Sequence, residues 1–249
     1  MEEPQAESEP TSTRDRNDSL VDIMKNGAEQ VGRILEPGLP ELPPKKAKEI
    51  GNDWLAEIRR DHSLCRDRSR TETTRKLAHD LIRAAGKKPA DYTVTVVEDE
   101  VVNAYAFVGN NIVVNTGFLD FAGRDTEMIQ FVLAHEIGHL VEGHVDLPFR
   151  RKMLTEGLAE IGELADDTLS GLLKNSPYNQ VHEEVADCFA VKLMRSIGAS
   201  TDGGVRFFRK LSLQESDDAD GEDRPFATLF DSHPDHHRRI ELISGGCSD

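Results

Sequence analysis

The chain has 249 residues, with 30 Lys and Arg against 46 Asp and Glu, a formal charge of −16. So acidic a surface repels nucleic acid and anionic membranes, which argues against a phosphate-binding role, while the length is enough to bury a real core. No stretch approaches the roughly 18 apolar residues of a membrane span, and MEEPQAESEPTSTRDRNDSL at the N-terminus lacks the basic-then-apolar order of a signal peptide.

Residues 1–17 are acidic and rich in Ser, Thr and Pro, and read as a disordered tail. From Leu20 an apolar period through Ile23, Val31 and Ile34 predicts a helix ending near Pro37, and PGLPELPPKK (37–46) reads as an extended linker. Two more helices are predicted at about 46–60 and 71–85, the second begun by Thr71 and stopped by Gly86. At Tyr92 the period becomes two. YTVTVVED, VVNAYAFV and NIVVNTGFL, the last two separated by a turn at Gly109 and Asn110, predict a small, mostly antiparallel sheet. The rest reads as helices at about 125–144, 148–174, 179–197, 201–213 and 234–244, with the acidic QESDDADGED as a solvated loop between the last two. The class is therefore α+β with a helical majority, divided into the tail 1–17, an N-terminal helical segment 18–90 and a core domain 91–249. Cys65, Cys188 and Cys247 are odd in number and irregular in spacing, so neither a disulfide framework nor a paired-cysteine metal knuckle is expected. With no signal peptide in view, that points to a reducing compartment, the cytoplasm.

FVLAHEIGHLVEGH (131–144) contains His135, Glu136 and His139 as H-E-x-x-H. Residues four apart share a helical face, about 6 Å between Cβ atoms, so both imidazoles can reach one metal while Glu136 holds an attacking water beside them. Catalytic zinc typically takes three protein ligands. On a continuous helix His144 lies nine residues after His135, about 900° of turn, and so faces away as a surface or second-sphere residue. VHEEVADCFAVKLM (181–194) offers Glu183 and Asp187 on one helical face, the first as third ligand and the second as acceptor for the outer N–H of a ligand histidine, unless both belong to a solvated acidic stripe. His182 and Glu184 receive no role.

Four blocks, VNAYAFVGNNIVVNTGFL (102–119), HEIGH, EEVAD and SHPDHHRRI (232–240), stand in the order found in zinc metallopeptidases of the HtpX and CAAX-prenyl-protease type, and the chain resembles that gluzincin family. The resemblance implies a zincin-like domain with one zinc held by His135, His139 and Glu183, and Glu136 as general base. It also implies an edge strand, at Asn103, Ala104 and Tyr105, that binds extended substrate. His233 of the fourth block is implied to stand over the open side of the metal, either donating to the oxyanion or taking the fourth position at rest. Many members span membranes and this chain shows no span, so their prenylated substrates do not carry over.

The function expected is a zinc endopeptidase acting on extended or unfolded polypeptide. The alternative is a zinc-stabilised binding or chaperone-like protein with little turnover, which Glu136 argues against because a structural site needs no base. An exopeptidase would need a dedicated acidic pocket for the substrate amino terminus, and no motif for one is visible.

Overall fold

The β-branched run TVTVV forms β1 (Thr93–Val97), which joins β2 (Ala104–Phe107) and β3 (Asn111–Asn115) in a three-stranded sheet of order β1-β3-β2. The computed structural model describes residues 38–156, 180–217 and 236–247. The expected acidic tail, the helix from Leu20 to Pro37, much of the 148–174 helix, most of the acidic loop and His233 all lie outside these residues.

The hairpin β2–β3 is antiparallel and closes through Gly109 and Asn110, both at positive φ. Because β3 inserts between β2 and β1, it runs parallel to β1, so the sheet is mixed where a mostly antiparallel one was expected. Alternation separates its side chains by face. Val94, Val96, Ala104, Ala106, Ile112 and Val114 enter the larger core, and Val97, Phe107 and Val113 enter a second cluster with Trp54, Leu55, Ile58 and Phe149.

Eight helices are described. α1 (Pro44–Asp61) starts with Pro at its first turn and buries Ile50, Trp54, Leu55 and Ile58 against the second cluster. α2 (Arg68–Ala84) begins three residues before the expected Thr71, because the Asp67 carboxylate accepts from the Arg70 N–H at 3.0 Å and caps it. The residues after β3 leave the strand as α3 (Thr116–Ala122), although NIVVNTGFL had read as one run. α4 (Thr126–Val141), α5 (Leu147–Glu156), α6 (Gln180–Ser196), α7 (Asp202–Asp217) and α8 (His236–Glu241) follow, and α8 leads into a helical turn at Leu242–Gly246. The class is α+β, a helical majority beside a small sheet, with α4 at the centre touching α2, α6, α7 and β2.

Candidate active site

α4 carries FVLAHEIGHLV and starts at Asp125, whose carboxylate accepts from the Met128 N–H at 3.0 Å. Phe131, Val132, Leu133, Ala134 and Ile137 are all buried, so the helix is a core element and its histidines inherit a fixed frame. His135 and His139 share one face with their Nε2 atoms 3.0 Å apart. From α6, Glu183 brings Oε2 to 3.4 Å from His135 Nε2 and Oε1 to 3.3 Å from His139 Nε2. One ligand atom from each of the three residues lies within 4.8 Å of the others, and all three side chains are buried. Glu136, on the same helix, is only 2% exposed.

The closeness of α4 and α6 depends on small residues. A Cβ on Gly138 would stand 3.2 Å from the Cα and carbonyl oxygen of Ala186 and 3.2 Å from the Phe189 ring. A side chain at 138 would need α6 or the Phe189 ring to give by a few tenths of an ångström, which would disturb the seat of Glu183 beside the histidines. The Gly of HEIGH and the Ala of EEVAD thus do a packing task that the ligand spacing alone does not reveal.

Around this trio sits a second set of contacts. Asp187, one turn after Glu183, places Oδ1 3.0 Å from His135 Nδ1, the pairing the sequence suggested. Arg239 of α8 was quoted in the fourth block without a role. Its Nε and Nη2 donate to the two Asp187 oxygens at 2.7 and 2.8 Å, and Nη1 lies 2.8 Å from Glu183 Oε2. Its guanidinium carbon stands 4.4 Å over the Phe208 ring of α7. This planar fork with an aromatic face beneath it is a geometry open to Arg and not to Lys.

Burial pushes the Asp187 carboxyl up, but Arg239 and His135 outweigh it and hold the group below the usual carboxylate range. Burial and Arg239 press His135 down, yet Glu183 and Asp187 together raise it to about 9. Burial drives His139 well below the ordinary imidazole value despite Glu183. Glu136, Glu183 and Asp187 are three buried carboxylates close to one guanidinium. With both imidazoles neutral, as metal ligands have to be, these described groups carry a net charge of two negatives, which a divalent cation would offset. Two imidazole nitrogens with a carboxylate oxygen form a donor set that suits zinc.

Of the two places expected for His144, surface or second sphere, the structure gives the second, and by a route other than a continuous helix. α4 ends at Val141, and Gly143 at φ 72° turns the chain in the left-handed region, so His144 begins a 3-10 turn (His144–Asp146) instead of continuing α4. Its ring is 7% exposed, and its Nδ1 lies 3.0 Å from His139 Nδ1. His182 packs beside it with ring centroids 4.5 Å apart. Burial, with His182 next to it, pushes His144 down to about 3. The Gly directly before His144 was the signal that the helix stops. Glu184 faces away and pairs with Arg238 Nε at 2.6 Å.

Asn103, Ala104 and Tyr105 lie at the start of β2, an outer strand that packs on α4. The opposite edge is occupied: Leu64 bridges Val97, Cys65 N–H donates to the Val96 carbonyl at 2.9 Å and Glu98 N–H to that of Ser63 at 2.8 Å. Among the described residues β2 pairs with β3 alone. Tyr105 is held neutral far above its ordinary range, by burial first and then by Asp99.

The cysteine expectation is corrected. Cys188 and Cys247 form a disulfide with Cα atoms 5.2 Å apart, joining α6 to the segment after α8, and Cys65 is free. A separation of 59 residues hid the pairing from any spacing rule. The bond follows Asp187 directly, so it staples together the two elements that carry Asp187 and Arg239.

The sequence profile of peptidase family M48 matches residues 68–246. The chain is 27% identical over 219 residues to Metalloprotease YcaL of Escherichia coli (strain K12), an alignment covering 81% of this chain and 80% of that protein. It is 30% identical over 178 residues to Metalloprotease LoiP of the same organism, covering 67% and 66%. With Metalloendopeptidase OMA1, mitochondrial, of Homo sapiens it shares 23% identity over 211 residues, 76% of this chain but 39% of that protein.

Proposed function

Because the chain belongs to peptidase family M48 and is a metalloendopeptidase, we propose that its metal is zinc, bound by His135, His139 and Glu183, with Glu136 as the general base. The observation that carries this reading is the meeting of three buried donor groups from two helices within 4.8 Å, with a buried glutamate next to the first histidine. When bound, zinc supplies Lewis acidity, bringing the pKa of a water toward ~7 and polarising the scissile carbonyl. Glu136 takes the proton of the attacking water on its carboxylate and returns it to the leaving amine nitrogen. Asp187 accepts the Nδ1–H of His135 and so leaves its Nε2 lone pair for the metal. Arg239 holds the carboxylates of Asp187 and Glu183 in place and offsets part of their charge.

Substrate lies along β2 at Asn103, Ala104 and Tyr105, extended and antiparallel. The main chain of Ala104 faces the open edge, because the Asn103 carbonyl accepts from the Asn115 N–H at 3.0 Å and Tyr105 follows in the same phase opposite Val113. The closed opposite edge and the packing of β2 on α4 support this choice of edge. Main-chain recognition favours unfolded segments over any one sequence. Chelation with 1,10-phenanthroline should abolish hydrolysis of casein, and added zinc should restore it. Hydrolysis that survives complete removal of metal would overturn the assignment.

Among the described residues no helix is long and apolar enough to cross a membrane. A disulfide persists in an oxidising environment, so the Cys188–Cys247 bond favours a setting outside the reducing cytoplasm that the sequence suggested. Thiol counting on protein isolated from its own host under alkylating conditions should find one free thiol, Cys65. Three free thiols would restore the cytoplasmic reading.

A further inference from the structure

We propose that His144 is a positioning residue for the metal centre: its Nδ1 accepts the Nδ1–H of His139 and so keeps the His139 Nε2 lone pair directed at the space shared with His135 and Glu183. The inference rests on the reading of His139 as a ligand.

A neutral imidazole carries one proton. For His139 to offer Nε2 to a metal, that proton has to sit on Nδ1, where a buried N–H requires an acceptor. The group facing it is His144 Nδ1, at 3.0 Å. Two ring nitrogens at that separation share one proton, since two lone pairs repel and two N–H groups clash. If His144 were the donor, His139 would carry its proton on Nε2 and face Glu183 with an N–H instead of a lone pair. The direction of this one hydrogen bond therefore decides whether His139 can bind metal at all.

The fold holds His144 to that task. The left-handed turn at Gly143 ends α4 and returns the chain toward the site. The His182 ring then lies against His144 at 4.5 Å with 32° between planes. His182 precedes Glu183 on α6, so the packing that fixes the acceptor also fixes the position of the third donor group.

The two histidines of α4 are thus steadied by different chemistry, Asp187 for His135 and His144 for His139. Electrostatics gives a reason. Among the described residues, three carboxylates against Arg239 leave a charge that one divalent cation matches, and a fourth carboxylate behind His139 would add a further buried negative charge. An imidazole is an acceptor without charge.

The test measures zinc affinity by competition with a chromogenic chelator for the wild type, His144→Leu, His144→Asn and His139→Ala. His144→Leu should bind zinc about 10- to 100-fold more weakly, as loss of such a partner does elsewhere. His144→Asn places an amide oxygen near the former Nδ1 and should recover most of the affinity. Wild-type affinity in His144→Leu, or an equal loss in Leu and Asn, would overturn the proposal. If His139→Ala itself keeps wild-type affinity, the ligand reading has failed, which is distinct from failure of His144→Leu alone. Nitrogen-15 spectra of histidine-labelled, zinc-loaded wild type give an answer even where a variant does not fold. They should show His144 protonated on Nε2 and a coupling across its bond to His139. A proton on His144 Nδ1 would sink the idea.

Discussion

Glu136→Gln is expected to leave zinc and fold in place and to lower kcat for an unfolded protein substrate by about 10²- to 10⁴-fold, the usual contribution of a positioned general base. The exchange keeps shape and volume at a side chain only 2% exposed, so packing against the core is preserved. What disappears is the proton acceptor. The loss should therefore fall on kcat and leave KM close to wild type, because the amide retains whatever contacts help to seat the substrate. Steady-state hydrolysis of casein, with metal content measured on the same preparation, gives the result. Near wild-type turnover would remove Glu136 from the mechanism. Full metal with no turnover in the wild type as well would favour the binding-protein alternative.

Glu183→Ala is the second large effect expected. It removes the one carboxylate among the described residues that touches both histidines, at 3.4 and 3.3 Å. It also takes away the partner of Arg239 Nη1, leaving that guanidinium to Asp187. The local charge shifts toward positive just where a cation has to bind, so attraction and coordination are lost together. Metal per chain should drop from about one to near zero. The affinity loss should exceed the roughly 10- to 100-fold expected for Asp187→Ala, which disturbs only the orientation of His135. Inductively coupled plasma analysis of both variants after dialysis against a weak chelator ranks them. Full zinc in Glu183→Ala would show that the third ligand lies elsewhere, and an equal loss in the two variants would mean that both act only indirectly.

What the sequence determined by itself was local. Helical spacing puts His135 and His139 on one face, and the same rule puts Glu183 and Asp187 together, because a period of 3.6 residues needs no knowledge of the rest of the chain. The β-branched runs, the Gly109–Asn110 turn and most helix positions were legible for the same reason, and so were the α+β class and the resemblance carried by four ordered blocks. Tertiary structure decided everything that depends on elements meeting. Gly138 and Ala186 became readable only as the contact that lets two helices approach. Arg239 reaches Asp187 across 52 residues, and Cys188 reaches Cys247 across 59. No periodicity spans such distances. Here α6 and α7 pack on α4 and α8 packs on α7, so burial brings polar groups from distant parts of the chain together as partners. His144 shows the boundary most sharply: extending the helix by rule sends it to the far side, and one left-handed residue brings it back to within 3.0 Å of His139.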